Sequence, residues 1–254
     1  MDYSNPKDLE QIMAITGVTS AQTGDAYQTE ISKLFEEWKG KIDTNHTAFI
    51  TDGVMDPEQW FKQSERIMFV LKEAYSEPYE NDWDLAKDHV LLQNSFGRRA
   101  TWRNISLWTK GMQNIHAKYE PDDKELESFG NKYLHSIAAI NLKKYNGKNT
   151  SDASDILQYA VQEKAFIKKE IEICDPNVIV CCGTANALNH VIDFDYGHYN
   201  NECFYHTIIN GHEVIVIDFY HPANRYPRIM NYLTLCGIYQ RAILGQVKRL
   251  KASE

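Results

Sequence analysis

The sequence predicts an α/β protein of three layers, in which helices cover both faces of a central, mainly parallel, four-stranded sheet. Four short apolar runs recur at wide intervals, and each is apolar throughout rather than alternating with polar residues, which is typical of strands buried on both faces. Helical patterns separate these runs, and strands that alternate with helices pair in parallel. The runs cover residues 66–72, 136–142, 177–182 and 213–219.

Helices are predicted where apolar residues recur at helical spacing between the strands. They cover residues 31–42, 102–112, 126–133, 156–174 (as one long helix) and 230–250. Residues 1–25 are rich in Ser, Thr, Gln and Gly and are predicted to form a flexible arm. No repeat or linker divides the remainder, so residues 26–254 are predicted to form a single domain.

The composition excludes several classes of protein. With 43% hydrophobic and 24% charged residues, the chain is not a collagen, a coiled coil or a disordered protein. The net charge of −8 argues against non-specific coating of nucleic acid, although it leaves room for a local basic cleft. No apolar run approaches the ~20 residues of a membrane span, and the polar start is unlike a signal peptide, so no membrane partner is expected. Five cysteines without a CxxC pair predict free thiols in a reducing, cytoplasmic setting.

Polar residues follow each apolar run, at the edge of the sheet where parallel α/β proteins bind their ligands. They include a carboxylate, an amide, a turn of small residues and a His-Pro pair. We therefore expect these residues to line one site. They are residues 72–77, 141–144, 183–186 and 220–225.

The segments that contain these residues resemble, in the same order, the motifs of the uracil-DNA glycosylase superfamily. They read FVLKEAYSE (69–77), AAINLKK (138–144), DPNVIVCCGTAN (175–186) and VIDFYHPANRYP (216–227). The similarity extends over roughly residues 60–245 and is closest to the iron–sulfur branch, whose first motif is Gly-Glu-Ala-Pro-Gly and whose last contains His-Pro. Lys72 replaces the first glycine, and Tyr75 and Ser76 replace Pro-Gly. The cysteines that hold the cluster are missing, so no iron–sulfur cluster or other cofactor is expected.

The resemblance implies roles for three polar residues. Glu73 would activate the attacking water, with Glu77 as a nearby substitute; the ordinary alternative is a solvated acid or an ion pair with Lys72. His221 would donate to the carbonyl oxygen of the departing base, and its alternative role is to form a turn. Asn141 would read the pairing edge of a flipped pyrimidine, or else satisfy the local backbone.

Two further positions complete the implied base site. Phe96 resembles the aromatic residue on which a flipped base stacks, with Tyr75 and Tyr79 as competitors for that role, and a core aromatic is the ordinary alternative. The turn at Gly183 precedes a predicted helix and could present backbone N–H groups to a phosphate, or could simply join strand to helix.

Basic residues adjoin three of the predicted site loops. Together they are expected to contact a phosphate backbone, since three clusters would converge on one rim of an acidic protein. They are Arg98 and Arg99 with Arg103 near Phe96, Lys143 and Lys144 with Lys148 after Asn141, and Arg225 with Arg228 after His221.

A rival group of metal-ligating residues lies before the fourth run. It comprises His190, His198, Cys203, His206 and His212. Their spacing matches no metal motif, so we expect no metal and interpret this stretch as a hairpin.

The leading hypothesis is a monomeric DNA glycosylase-like hydrolase that flips uracil or a related modified pyrimidine out of DNA and cleaves its N-glycosidic bond. One alternative is an inactive protein of the same fold that binds DNA or a nucleotide-like ligand. Another is a hydrolase of small nucleosides or other glycosides.

Overall fold

The computed structural model describes residues 24–42, 48–75, 81–86, 100–115, 131–147, 150–196 and 203–253. The strands are β1 (Ile50–Thr51), β2 (Gly53–Val54), β3 (Ile67–Tyr75), β4 (Trp83–Asp84), β5 (Ile137–Gly147), β6 (Val178–Cys182), β7 (Phe204–Ile209) and β8 (His212–Phe219). The helices are α1 (Gly24–Lys41), α2 (Pro57–Trp60), α3 (Ala100–Gln113), α4 (Ala153–Gln162), α5 (Lys164–Cys174), α6 (Ala185–Asn189) and α7 (Arg228–Ser253), with a 3-10 helix at Asn131–Ser136.

The main sheet has the strand order β2-β5-β3-β6-β8-β7. The four predicted runs form its parallel centre, β5-β3-β6-β8, so the mixed α/β class is confirmed. The expectation of four strands in this sheet is wrong, because β2 and β7 add antiparallel edges. A two-residue strand such as β2 leaves no apolar pattern, and β7 carries half-exposed polar residues because it lies at an edge. Strands β1 and β4 form a separate parallel pair.

Helices pack on both faces of this sheet. Met68 and Val70 of β3 pack with α1, α4, α5 and α6 in one apolar cluster. Phe69 and Leu71, which alternate with them, pack with α3 and α7 in the other. Successive side chains of a strand point to opposite faces. The predicted runs are therefore continuously apolar because both faces of each strand are buried.

The helix predictions differ from the structure in detail. The expected flexible arm, 1–25, lies outside the described residues up to position 23, and α1 already begins at Gly24. The single helix expected over 156–174 is two helices, α4 and α5, which meet at Glu163. The carboxylate of Glu163 accepts a hydrogen bond from Trp38 Nε1 of α1 at 2.9 Å, so a long-range contact is made at the break. Of the helix expected over 126–133, only the end lies in the described part, as the 3-10 helix.

The stretch interpreted as a hairpin does contain one, formed by β7 with β8 itself. Asn210 and Gly211 join the two strands with φ of 50° and 83°. Two consecutive positive φ values match the twist of paired strands, and Asn-Gly is the pair that adopts them most readily.

Two further features concern the chain as a whole. All five cysteines are free thiols, and Cys203 alone among them is exposed. Among the helices in the described ranges, none combines the length and the apolar character that crossing a bilayer requires.

Gly111 sets the distance between α3 and α7. A Cβ at this position would lie 2.7 Å from Cys236 Sγ and against the ring of Tyr232, both on α7. We expect Gly111→Ala to lower the free energy of unfolding by about 1–3 kcal/mol through overpacking. The measurement is urea denaturation followed by circular dichroism.

The matched control for this substitution is Gly237→Ala on α7. A Cβ at Gly237 meets no atom within 4 Å. Alanine favours a helix over glycine by about 0.5–1 kcal/mol, so this variant should be as stable as the parent or more stable. Equal effects at the two positions would show that helix propensity, and not packing between α3 and α7, governs Gly111.

Candidate functional site

The strand register brings the predicted loops to one edge of the sheet. Glu73 of β3 pairs with Lys143 of β5, and Cys182 of β6 pairs with Phe219 of β8. Because the four central strands are parallel, the residues that follow Cys182 and Phe219 emerge at the same edge as the end of β3. The predicted convergence of Glu73, Gly183 and His221 on this edge agrees with the register.

Glu73 is a buried carboxylate. Its side chain is only 1% exposed, and its Oε2 lies 3.4 Å from Lys143 Nζ. Within the described part of the chain, neither carboxylate oxygen accepts a hydrogen bond. A buried acceptor without a donor is costly unless a ligand or water supplies one. The Glu73 carboxylate is therefore suited to hold a hydrogen-bond donor at this edge.

Lys143 connects Glu73 to a second carboxylate. Lys143 Nζ donates to Asp155 Oδ2 at 2.7 Å and lies 4.5 Å from the centre of the Tyr159 ring. Burial lowers the pKa of Lys143, but the hydrogen bond to Asp155 and the charge of Glu73 outweigh burial, so the pKa is raised. Lys143 is thus a cation that compensates Glu73.

His221 is half-buried and has a defined tautomer. Its Nδ1 accepts a hydrogen bond from the backbone N–H of Ala223 at 3.1 Å. Burial, and then the charge of Lys72, lower the pKa of His221 below its usual value near 6.5. At neutral pH the ring is therefore uncharged and carries its proton on Nε2, which makes it a donor to a ligand.

The loop that carries His221 is held by asparagine side chains. Asn224 Nδ2 donates to the backbone oxygen of His221 at 2.9 Å, and Asn224 Oδ1 accepts from Asn231 Nδ2 at 2.9 Å. Asn104 of α3 donates to Pro222 O at 2.5 Å. The residues predicted from the sequence did not include Asn104. Its signal in the sequence is that it is a polar residue among the apolar positions of a predicted helix.

Gly183 forms the turn after β6. Its φ is 72°, a conformation that favours glycine. Its N–H donates to Phe219 O at 2.7 Å, so this N–H is not free for a phosphate, and the turn joins β6 to α6. Lys72 lies over the turn, with its Cε 3.6 Å from the position of a Cβ at Gly183.

Asn141 does not reach the strand end as expected. It is buried inside β5, which continues to Gly147, and its Nδ2 donates to Asp52 Oδ2 at 2.9 Å. The same carboxylate oxygen accepts the backbone N–H of Asn141 at 2.8 Å. The prediction that Asn141 reads a base is therefore not supported, because its amide donor is committed to Asp52.

Lys143 and Lys144 are not surface residues. Their side chains are 2% and 0% exposed, so the expectation that they contact a phosphate backbone is wrong. Both instead pair with buried or partly buried carboxylates. Arg225 is exposed on the His221 loop, as a phosphate contact requires.

Most of the remaining predicted site residues belong to parts of the chain outside the described ranges. Phe96, Arg98 and Arg99 lie outside the described residues, as do Glu77, Tyr79 and Lys148. Tyr75 is described only through its backbone, as the last residue of β3.

Lys144 is the centre of a buried ion cluster that sequence analysis missed. Its Nζ contacts Asp52 and lies 2.9 Å from Glu170 Oε1 of α5. Burial raises the pKa of Glu170 well above its usual value, with Lys144 opposing this shift. Burial lowers the pKa of Lys144, but the two carboxylates outweigh burial and raise it. The signal for Glu170 in the sequence was its place on the apolar face of α5, beside Ile167 and Ile171.

One further cavity lies apart from this edge. A cavity of about 380 Å³ lies between α1 and the β1–β4 pair, and neither Glu73, Gly183 nor His221 lines it. No group of three or more potential metal ligands converges among the described residues, which exclude His198 of the rival group.

We expect Lys144→Met to destabilise the fold strongly. Removing the cation leaves Asp52 and Glu170 buried together without compensation, which typically costs about 3–5 kcal/mol. Urea denaturation measures the loss. Lys168→Met on the exposed surface of α5 is the control and should change the stability by less than about 0.5 kcal/mol. A similar small effect at Lys144 would contradict the role of this cluster.

We expect Lys72→Met to raise the pKa of His221, because one of its two lowering causes is removed. NMR titration of the histidine ring signals, assigned with His221→Ala, measures the change. A folded pKa below the unfolded value means that the unfolded state binds more protons in the window between them, just below about pH 6.5. The stability contributed by His221 therefore falls as the pH falls through that window, and less so in Lys72→Met. An unchanged pKa would show that the Lys72 ammonium does not act on the ring.

The chain was compared with protein-family models and with curated proteins. No family model matches, and no curated protein is significantly similar. The geometry of the strand-end residues is therefore the basis for inferring a function.

Proposed function

We propose that the protein is a hydrolase of the uracil-DNA glycosylase type that cleaves the N-glycosidic bond of uracil or a related modified pyrimidine in DNA. The observation that carries the proposal is that a buried carboxylate, Glu73, and a neutral histidine donor, His221, lie at the same edge of the sheet. Strands β3 and β8 are separated by β6 alone, so their axes lie roughly 10 Å apart.

Glu73 is proposed to hold the attacking water. Cleavage of an N-glycosidic bond develops positive charge on the sugar, and a carboxylate both stabilises this charge and accepts a proton from water. The oxygens of Glu73 are free of protein donors in the described part of the chain, so they can accept from a bound water. Lys143 supports this role, because its ammonium lies 3.4 Å from Glu73 Oε2 and offsets the negative charge of the carboxylate.

His221 is proposed to stabilise the departing base. The base leaves with negative charge on its carbonyl oxygen, and a positioned N–H donor is most effective where that charge develops. The Ala223 N–H holds Nδ1 as an acceptor, so Nε2 carries the proton that the base requires. The asparagine contacts hold the backbone of the loop, which lowers the cost of reorganisation during the reaction.

The same proposal covers fold, partner and compartment. The four parallel strands carry the four resembling segments in order, and we infer a three-layer glycosylase-type fold to which β2 and β7 add edges. Arg225 is proposed to contact DNA phosphates together with Arg98 and Arg99, and Phe96 to stack on the base. Because Asn141 is bound to Asp52, a group other than its amide donor is needed to read the base. We further propose that the protein is a cytoplasmic monomer that needs no cofactor.

The test is an excision assay on single- and double-stranded oligonucleotides that carry uracil, 5-hydroxymethyluracil or a mismatched thymine. We expect release of a base, and a loss of about tenfold or more in Glu73→Gln and in His221→Ala, since each removes a group that acts in the transition state. Glu30→Gln and His190→Ala, which change exposed residues, are the controls and should keep parental rates.

Circular dichroism establishes that each variant is folded before its rate is compared. Parental excision by both Glu73→Gln and His221→Ala would refute the residue roles. No excision from any substrate by the folded parent protein would refute the proposed activity.

A second candidate is a protein of this fold that binds a nucleotide or DNA without cleaving it. Lys72 favours it, because its side chain lies over the Gly183 turn beside His221, where the resembling motif has glycine. A side chain in this space can exclude a base from the catalytic position. No excision combined with saturable binding of the same oligonucleotides, measured by fluorescence anisotropy, would favour this candidate.

A further inference from the structure

We propose that Lys72 and His221 form a subsite for an oxyanion, in which the Lys72 ammonium and the His221 Nε2–H donate to the same anionic group of the ligand above the turn at Gly183. The subsite lies within the proposed active site and rests on that proposal for its place in a reaction. Its chemistry is shared by the glycosylase and by the nucleotide-binding protein, because both bind a ligand with phosphate groups.

Lys72 is the cation of this subsite. Its Cε and Nζ lie 3.6 and 4.0 Å from the position of a Cβ at Gly183, and its charge reaches the ring of His221. The side chain is partly exposed, so a ligand can approach it. Among the residues that the structure describes, no carboxylate forms an ion pair with Lys72. Its positive charge is therefore available to a ligand.

Glu73 does not neutralise Lys72, although the two are neighbours in the chain. Glu73 pairs instead with Lys143 at 3.4 Å, and in the described part of the chain no ion pair joins it to Lys72. Lys143 is bound in turn to Asp155 at 2.7 Å. The end of β3 therefore carries two separate charged groups. Glu73 is paired with Lys143, whereas Lys72 has no carboxylate partner among the described residues.

The Gly183 N–H is not a donor to this subsite. It is used by Phe219 O, so the donors proposed for the anion are the side chains of Lys72 and His221. A Cβ at position 183 would lie 3.6 Å from Lys72 Cε and 3.9 Å from the backbone N of His221. The turn therefore lies against both the Lys72 side chain and the backbone of His221, and its positive φ is what favours glycine there.

The two donors complement each other. Lysine binds phosphate as a point charge, and the neutral histidine adds a directed hydrogen bond. A positive charge beside the ring also keeps it uncharged, so the pair carries one net positive charge instead of two. This arrangement suits a singly charged oxygen group, either a phosphate of the nucleic acid or the oxygen of the departing base.

NMR titration of the His221 ring signals tests the subsite without reference to catalysis. Inorganic phosphate and free uracil are titrated separately at constant pH, and chloride is adjusted so that the ionic strength also stays constant. We expect one of them to shift the signals saturably, and Lys72→Met to weaken its binding about tenfold or more, because a charge-assisted hydrogen bond is lost. Lys72→Arg should retain most of the affinity, and Lys168→Met, on the exposed surface of α5, should retain all of it.

The outcomes separate the sources and the proposals. Lys72-dependent binding of phosphate identifies a backbone phosphate subsite, whereas Lys72-dependent binding of uracil alone identifies contact with the base oxygen; both support the subsite. No saturable shift with either probe, or equal affinity in Lys72→Met, overturns it. Lys72-dependent binding without excision in the parent protein would refute the glycosylase activity and support the subsite. Excision together with binding that does not depend on Lys72 would support the activity and refute the subsite.

Discussion

The position of β3 in the centre of the parallel sheet is the constraint on which the rest of the structure depends. Its backbone pairs with β5 on one side and β6 on the other, and its alternating side chains fill both apolar clusters. A strand held on four sides cannot shift its register without exposing one of these clusters. The direction of Lys72 and Glu73 at its end is therefore fixed by packing far from the site.

Buried charge accompanies this rigid centre at two successive residues of β5. Lys143 forms ion pairs with Glu73 and Asp155, while Lys144, the next residue, forms ion pairs with Asp52 and Glu170. Burying such groups is costly unless every charge has a partner, so each cluster ties β5 to particular neighbours. The Lys143 cluster reaches the candidate site, whereas the Lys144 cluster joins α5 and the segment before β2 to the core.

The polar groups of the candidate site differ in how many of their partners the protein itself supplies. Glu73 has a cation but no hydrogen-bond donor in the described part of the chain, and His221 has a fixed tautomer and an adjacent lysine. These are complementary needs, an acceptor that requires a donor and donors that require an acceptor. A ligand with a hydroxyl or water on one side and an oxyanion on the other would satisfy both, and this complementarity is the basis of the proposed nucleotide substrate.

The sequence by itself determined the parallel centre of the sheet and the convergence of Glu73, Gly183 and His221, because continuous apolar runs and strand ends are local patterns. It also placed Arg225 correctly on an exposed loop. Only the tertiary structure decided that Asn141, Lys143 and Lys144 are buried, since their carboxylate partners Asp52, Asp155 and Glu170 come from other elements. The edge strands β2 and β7 and the break at Glu163 likewise depend on long-range pairing and contacts. A polar residue at a strand end looks the same in sequence whether it faces solvent or a buried charge, and only the fold supplies that partner.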